Sequence, residues 1–237
     1  MVFVIEEIMH VYDEIAAGYL NVRSRFWDVI MELDVHHGWV GDIGCGPCHN
    51  GLRLAMDRRI SVLCVDLSFN MLRQSRMLFS KMRSEELDIR SHMIQGDMRF
   101  LPIRSSSLSA LLYIASINHI PPEYLNQVFK ECYRVLKPSG KALITLWALT
   151  HPSVVKALLC KAFKVLLKPS ELKLRSFLDI YVPWRRREKT YYRYYHIYRR
   201  KEVVSTLSKL GFKVIKVGVY NPHRRLFPEN HYIILIK

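Results

Sequence analysis

The chain has 237 residues, of which half are hydrophobic and 11% aromatic, and this composition excludes wholesale disorder. The length suits one substantial core with an insertion better than two domains. The balance of 36 Lys and Arg against 21 Asp and Glu gives a net charge of +15, which favours a polyanionic partner such as nucleic acid or an anionic membrane surface.

The five cysteines are odd in number and scattered, so they predict no disulfide framework. Cys45 and Cys48 form a CxxC pair, but no second pair with zinc-site spacing accompanies them, and we predict no metal site. The first residues do not read as a signal peptide, and no run approaches the ~20 apolar residues of a membrane span. We therefore expect a soluble, cytoplasmic protein that does not associate with membranes.

Residues 1–36 are predicted to form a helical lid, because apolar side chains recur there at spacings of three and four. Gly18 is expected to interrupt this pattern, and a second helix is expected to follow it. Arg23 and Arg25 come after the first helix. They belong either to a solvated face or to the mouth of a site beneath the lid.

A short apolar run that ends in Asp42 breaks at once into Gly44 and Gly46, as a buried strand does where it turns tightly into a helix. Glycines there permit positive φ and a close approach of a ligand to the backbone, while the amides that open the next helix offer donors and partial positive charge. This chemistry suits a dinucleotide, a phosphate or the amino-acid end of S-adenosylmethionine. An ordinary strand-to-helix turn fits the same residues.

Two further acids follow apolar runs. Asp66 ends the β-branched run 60–66, about 20 residues beyond the glycines, where an acid is positioned for a ribose diol. Asp97 comes where a third run stops. Because ligands of open α/β sheets bind outside the carboxyl ends of the strands, we expect Asp42, Asp66 and Asp97 to surround one crevice.

The later strands complete the predicted sheet. Residues 108–115 are apolar on both faces, as in an interior parallel strand, and His119 follows them either as the end of the strand or as a substrate-facing residue. A fifth strand is predicted over 142–147, and an antiparallel hairpin over 212–220 and 231–236. Because strands alternate with helices, the fold class is α/β with a doubly wound, mostly parallel sheet.

The segment before the last two strands carries most of the excess charge. Between residues 156 and 201 there are fourteen Lys or Arg against three acids, a net of +11, and nine aromatic residues lie among them. Basic residues that neutralise phosphates, interleaved with rings that stack on unpaired bases, are typical of single-stranded or loop RNA recognition. A solvated basic cover with its own aromatic core is the alternative.

The glycine loop, Asp66 and Asp97-Met98 together resemble the Rossmann-like class I S-adenosylmethionine-dependent methyltransferases. The resemblance implies a seven-stranded sheet, S-adenosyl-L-methionine as cofactor, Asp66 at its ribose, and Asp97 with Met98 at its adenine. Cys48 stands where the family usually has a third glycine, which predicts a loop that is tighter or displaced. The implied cofactor-binding residues are Tyr12, Asp42, Gly44, Cys45, Gly46, Asp66, Leu67, Asp97, Met98 and Ala115.

The same resemblance divides one methyltransferase domain, residues 1–237, into four parts. Residues 1–36 are the lid, 37–149 the cofactor-binding core, 150–200 the basic, aromatic, substrate-binding insertion, and 201–237 the last helix and two strands.

A narrower resemblance covers nearly the whole chain. His10-Val-Tyr-Asp-Glu-Ile-Ala, Ile117-Asn-His119, Val182-Pro-Trp184 and Tyr194-Tyr-His196-Ile-Tyr198-Arg199 are similar to segments of the tRNA wobble-uridine methyltransferases. That family esterifies a carboxymethyl group on the first anticodon base, U34. The resemblance implies tRNA, through its anticodon loop, as partner, and Arg23 and His119 as catalytic residues. The implied substrate-binding residues are Arg25, Trp184, Tyr194, His196 and Arg199.

The resemblance also implies a small zinc-bearing activator subunit. It would pair with an edge of the sheet, and the third predicted strand, residues 91–96, is such an edge.

Two other functions remain open. A small-molecule methyltransferase acting on a quinone precursor or a lipid would share every cofactor motif, and helix 154–168 places Lys161, Lys164 and Lys168 opposite apolar residues, as in a membrane-surface helix. The other alternative is a non-catalytic RNA-binding protein that keeps the fold and has lost the cofactor, for which Cys48 is the hint.

Overall fold

The computed structural model of the protein describes residues 2–22, 25–82, 90–167, 177–186, 188–223 and 226–237. The strands are β1 Trp39–Ile43, β2 Ser61–Asp66, β3 Ser91–Gln95, β4 Leu108–Tyr113, β5 Leu136–Trp147, β6 Asp179–Arg186, β7 Lys189–His196, β8 Lys213–Tyr220 and β9 Asn230–Ile236. The α-helices are α1 Val2–Val22, α2 His49–Arg58, α3 Phe69–Met82, α4 Pro122–Val135, α5 Pro152–Leu167 and α6 Arg200–Lys209.

Seven of these strands form one sheet in the order β3-β2-β1-β4-β5-β9-β8. Strands β1 to β5 pair in parallel, whereas β9 runs antiparallel to both β5 and β8. The predicted fold class, a Rossmann-like seven-stranded sheet with an antiparallel C-terminal hairpin, is therefore confirmed.

The central strands are buried on both faces because helices cover each side of the sheet. Successive side chains of β4 point to opposite faces, so that Leu111 packs in one apolar cluster with Val128 of α4, and Leu112 packs in the other with Leu52 of α2. This packing fixes the carboxyl ends of β1, β2 and β4 at one edge of the molecule.

The N-terminal segment differs from the prediction. Helix α1 runs without interruption through Gly18 to Val22, and the predicted second helix is only a short 3-10 turn, Asp28–Glu32. A glycine within a helix costs only about 1 kcal/mol. Burial of Ile15 and Ala16 against Met71 of α3 outweighs that cost.

The insertion contains a strand pair that the sequence analysis did not assign. Strands β6 and β7 form a two-stranded antiparallel sheet of their own, in which Trp184 faces Tyr191 and Val182 faces Arg193. The predicted helix of the insertion is α5, although residue 168 and the side chain of Lys164 lie outside the described residues. Among the helices of the described ranges, none combines the length and apolar character that crossing a bilayer requires.

Candidate active site

A cavity of about 840 Å³ opens at the carboxyl ends of the parallel strands. Nine of the ten cofactor-binding residues inferred from the sequence line it: Tyr12, Gly44, Cys45, Gly46, Asp66, Leu67, Asp97, Met98 and Ala115. The tenth, Asp42, lies beneath the loop. Its buried carboxylate accepts a hydrogen bond from the amide of Gly51 at 2.9 Å, and burial raises its pKa to about 7. Asp42 therefore fastens the start of α2 to β1.

The glycine loop presents bare backbone to the cavity. The amides of Gly44 and Cys45 donate to the carbonyl of Val65 at 2.8 and 3.1 Å, which holds the loop against β2. Gly44 has a φ of +64°, and a Cβ there would lie 2.6 Å from the Cβ of Ser116. No side chain larger than hydrogen fits this position, so a ligand can approach the backbone closely.

Asp66 faces the cavity from the end of β2. Its two carboxylate oxygens accept hydrogen bonds from the amides of Gly46 at 2.7 Å and Ser68 at 2.9 Å. Burial raises its pKa to about 6. The carboxylate is thus fixed in orientation beside the glycine loop, as binding of a ribose diol requires.

Asp97 is held by Arg99, whose guanidinium donates from Nε and Nη2 to Oδ2 at 2.9 and 2.6 Å. The neighbouring Met98 brings its methyl group to the glycine loop, 3.0 Å from where a Cβ on Gly44 would lie. Bare backbone, an oriented carboxylate and an apolar side chain therefore line one cavity, and their chemistry fits the amino-acid end, ribose and base of S-adenosylmethionine.

Cys48 is bonded to a second cysteine and has a backbone conformation typical of glycine. It forms a disulfide bond with Cys64 of β2, whereas the odd number and scatter of the cysteines predicted no disulfide framework. Cys48 adopts a φ of +59°, the left-handed conformation that glycine would adopt at lower cost. The loop thereby keeps the backbone path of a glycine. Among the described residues, no group of three or more His, Cys, Asp or Glu side chains is placed to hold a metal ion.

The opposite wall of the cavity contains His119, which has partners on both ring nitrogens. Nδ1 lies 2.8 Å from the carbonyl oxygen of Tyr194, and Nε2 lies 2.8 Å from the hydroxyl of Tyr12. A carbonyl only accepts, so Nδ1 carries the hydrogen and Nε2 accepts from Tyr12. Burial lowers the pKa of His119 to about 4, so the ring is neutral at pH 7. His119 consequently orients Tyr12.

Arg193 of β7 reaches the same wall and is buried. Its Nη1 donates to the hydroxyl of Tyr195 at 3.1 Å, and its guanidinium carbon lies 4.8 Å from the ring centroid of Trp184. Burial lowers the pKa of Arg193, but Tyr195, Tyr12 and Tyr19 raise it more, and the net direction is upward. The guanidinium is therefore charged at neutral pH.

Aromatic rings continue this wall toward the start of α5. Trp147 stacks between Tyr195 and His151, with ring centroids 4.3 and 4.1 Å apart and interplanar angles of 21° and 9°. The amide of the buried Asn118 fixes the arrangement, because its Oδ1 accepts from the backbone of Trp147 and its Nδ2 donates to the carbonyl of His196. A flat aromatic surface next to a cation suits a planar, negatively charged acceptor.

The remaining residues inferred from the sequence are distributed around this wall. Arg23 lies outside the described residues, and the exposed Arg25 lines the mouth of the cavity. Trp184 stacks on Tyr19 with centroids 5.4 Å apart. Arg199 is exposed and precedes α6.

Tyr194 and His196 point away from the cavity. The hydroxyl of Tyr194 and the Nδ1 of His196 both bond to Oδ1 of Asp179, at 2.8 and 2.6 Å. These two side chains brace β7 against β6.

Sequence reasoning missed Arg193, Tyr195 and Trp147 as cavity residues. The signal was available in the run Tyr191-Tyr-Arg-Tyr-Tyr195: with the period of two that a strand imposes, its odd-numbered residues share one face. If the run is interpreted as a strand, Arg193 and Tyr195 lie on one face and Tyr194 lies on the other.

Comparison with known proteins identifies a matching domain and similar chains. A model of the methyltransferase domain matches residues 40–140. The tRNA (carboxymethyluridine(34)-5-O)-methyltransferase ALKBH8 of Macaca fascicularis is 32% identical over 152 residues, which cover 61% of this chain and 20% of that protein. The chain thus spans about a fifth of that relative. A tRNA (carboxymethyluridine(34)-5-O)-methyltransferase from Schizosaccharomyces pombe is 24% identical, covering 90% of this chain and 91% of its own.

Solved structures share the fold. A SAM-dependent methyltransferase of Methanosarcina mazei superposes with a TM-score of 0.68 at 19% identity, covering 90% of this chain and 98% of its own. A chain of the complex between the Haloferax volcanii Trm112 methyltransferase activator and a methyltransferase superposes with a TM-score of 0.66 at 14% identity, covering 97% of this chain and 96% of its own. The chain therefore has the fold of the class I S-adenosylmethionine-dependent methyltransferases and matches their domain over residues 40–140, with S-adenosyl-L-methionine as the cofactor, and it resembles the tRNA carboxymethyluridine methyltransferases.

Proposed function

We propose that this protein transfers a methyl group from S-adenosylmethionine to the carboxylate of a carboxymethyl-type uridine at position 34 of tRNA. One observation carries the proposal. The likeness to the Schizosaccharomyces pombe enzyme covers 90% of this chain, and so includes the insertion that walls the acceptor side of the cavity as well as the cofactor core.

The proposed reaction requires no strong general acid or base. A carboxylate with a pKa near ~4 is already ionised at neutral pH, so no group has to remove a proton. The cofactor supplies a methyl group on a positively charged sulfur. Held at the glycine loop, Asp66 and Asp97, it would donate this methyl group directly to an acceptor oxygen and keep the electron pair of the broken carbon–sulfur bond on sulfur. The protein contributes alignment and exclusion of water.

We assign the alignment of the acceptor to residues on the wall opposite the glycine loop. His119 accepts a hydrogen bond from Tyr12, Trp184 stacks on Tyr19, and Tyr12, Tyr19 and Arg25 line the cavity. Arg23 is kept as a proposed catalytic residue from the sequence alone, because it lies outside the described residues.

The basic surface supports an RNA acceptor. Exposed cations border β6, β7 and α6, where they can neutralise phosphates of an anticodon loop: Arg185, Lys189, Arg199, Arg200 and Lys201. The membrane alternative is weakened at α5, because the ammonium group of Lys161 donates to the carbonyls of Phe177 and Asp179 at 2.8 and 2.9 Å and is turned away from a lipid surface.

We also propose a small activator subunit at β3. This strand lies at the end of the seven-stranded sheet, and in the described part of the chain its outer edge pairs with no strand. An edge with free backbone groups is suited to pairing with another chain. The likeness to the chain from the Trm112 complex supports this assignment.

The function is tested by transfer of labelled methyl from S-adenosylmethionine to bulk tRNA from cells that lack the gene, with and without a zinc-bearing activator. Nuclease digestion and mass analysis should show a methyl ester on a C5-substituted uridine, labile to mild base. Arg23→Ala should abolish the label and leave cofactor affinity unchanged. A wild-type protein that binds cofactor and labels no tRNA under either condition contradicts the proposal.

A further inference from the structure

Arg193 is a buried cation, and the described residues supply no counter-charge to it. Only 5% of its surface is exposed. Its Nε has no hydrogen-bond partner, and no carboxylate of the described residues lies within ion-pair distance of its guanidinium. The nearest acid on the same pair of strands, Asp179, is occupied by Tyr194 and His196.

Such an arrangement costs free energy. An arginine taken out of water without an anion loses favourable solvation that no counter-ion replaces. The rings of Trp184 and Tyr195, whose centroids lie 4.8 and 5.5 Å from the guanidinium carbon, offset part of this loss through their negative faces. A native structure that keeps a buried cation without a counter-ion is suited to bind an anionic group of a ligand.

The position of Arg193 indicates which ligand brings that anion. The glycine loop, Asp66 and Asp97 come from the ends of β1 to β3, whereas Arg193 comes from β7 in the insertion. The hydroxyl of Tyr12 raises the pKa of Arg193 and is hydrogen-bonded to His119 at the end of β4, so it links the two residues. The guanidinium therefore belongs to the acceptor side of the cavity.

We infer that Arg193 binds the carboxylate of the methyl acceptor and makes the site select an acid over the corresponding uncharged amide. This inference rests on the proposed function, since it assumes that the acceptor is a carboxylate. Two parallel N–H donors of a guanidinium match the two oxygens of a carboxylate, and both groups stay ionised at neutral pH.

The positive charge of Arg193 also predicts that the product is bound more weakly than the substrate. Methyl transfer converts the anion to a neutral ester, and the charge-assisted hydrogen bonds to Arg193 become weaker ones between a cation and a neutral group. The ester should therefore bind less tightly than the acid, and product should not accumulate on the protein.

Direct binding of two nucleosides tests the inference without turnover. The probes are 5-carboxymethyluridine and its amide, 5-carbamoylmethyluridine, titrated calorimetrically into the protein saturated with S-adenosylhomocysteine. A charge-assisted bond predicts that wild type binds the acid roughly 10- to 100-fold more tightly than the amide. Arg193→Met should remove this preference. Arg76→Met, an exposed arginine on α3 that does not line the cavity, is the matched control and should retain it.

Affinity for S-adenosylhomocysteine is measured in each variant. A folded Arg193→Met protein that still prefers the acid, or that loses cofactor affinity instead, overturns the inference. A second measurement needs only the wild type: the arginine side-chain resonance that disappears in Arg193→Lys should shift on addition of the acid and not of the amide. Absence of a shift with the acid also overturns the inference.

The two proposals fail separately. If wild type methylates no tRNA but distinguishes acid from amide through Arg193, the cation serves another carboxylate acceptor and only the tRNA assignment falls. If tRNA is esterified and Arg193→Met keeps its preference for the acid, only the role of Arg193 falls.

Discussion

The ionisation state of Asp66 is expected to affect the affinity of the protein for its cofactor. In the free protein burial raises its pKa to about 6, above the ordinary value for an aspartate, so a sizeable fraction is protonated at pH 5 to 6. Only the ionised form offers both oxygens as acceptors to a ribose diol while it holds the amides of Gly46 and Ser68. Binding therefore favours the carboxylate and lowers its pKa in the complex.

Affinity for S-adenosylhomocysteine should consequently rise as pH increases through 6 and level off above about 7. Below 6 the loss is at most about tenfold per pH unit, because a single proton is involved. Calorimetric titrations from pH 5 to 8 would measure this profile. Asp66→Asn should bind more weakly and show no such rise; a wild-type profile as flat as that of Asp66→Asn would exclude the role given to Asp66.

Local residues of the site could be predicted from sequence, and distant ones could not. Gly44 and Asp66 follow from spacing because strand, turn and helix are consecutive; the amide of Gly44 donates to the carbonyl of Val65, and the carboxylate of Asp66 accepts from the amide of Gly46. The hydrogen bond between Tyr12 and His119 joins residues 107 positions apart, and no periodicity encodes it. His119 was expected near the acceptor, but its neutral state depends on burial that only the folded chain shows.

At the scale of elements, the disulfide between Cys48 and Cys64 ties the start of α2 to β2 across a separation of 16 residues. Closing a loop of this size restricts the unfolded chain by an amount worth about 3 kcal/mol. Reduction should lower the Tm by roughly 5–10 °C in a protein of this length. Thermal unfolding with and without dithiothreitol would measure the shift.

Two variants serve as controls for that shift. Cys64→Ser should show the lower Tm and no response to reductant, whereas Cys160→Ser, which removes an exposed free thiol, should respond as wild type does. A wild-type Tm that reductant leaves unchanged would contradict the stabilising role of the bridge.

The elements themselves were predicted unevenly. The central strands of the large sheet were found because their apolar runs are buried on both faces. Strands β6 and β7 were missed because basic and aromatic residues hide the alternation there, and proline interrupts it at Pro183. Gly18 was read as a break because its propensity is visible in sequence, while the packing of α1 on α3 is not.

At the scale of the whole molecule, the open edge at β3 sets the expectation for assembly. Co-expression with a zinc-bearing activator should give a 1:1 complex by light scattering. Arg90 and Gly96 both form backbone hydrogen bonds with β2. Backbone groups alternate in direction along a strand, so the amide of Met93 points away from β2. Met93→Pro should weaken the complex by at least about tenfold and spare S-adenosylhomocysteine binding, because the lost donor faces the partner.

Ile94 has its amide toward β2 in this pattern, so Ile94→Pro is the contrasting variant and should impair cofactor binding as well as assembly. A chain that is a monodisperse, fully active monomer when expressed alone would show that no subunit is required.

The independence of the β6–β7 sheet has an evolutionary consequence. Within the described residues these strands pair only with each other, yet they supply Arg193 and Tyr195 to the cavity. Part of the wall opposite the glycine loop thus comes from a module separate from the strand ends that carry the glycine loop and Asp66. Mutations that retune the choice of acceptor can accumulate in the hairpin without disturbing the strand ends that hold the methyl donor, so relatives with the same cofactor site can diverge in what they methylate.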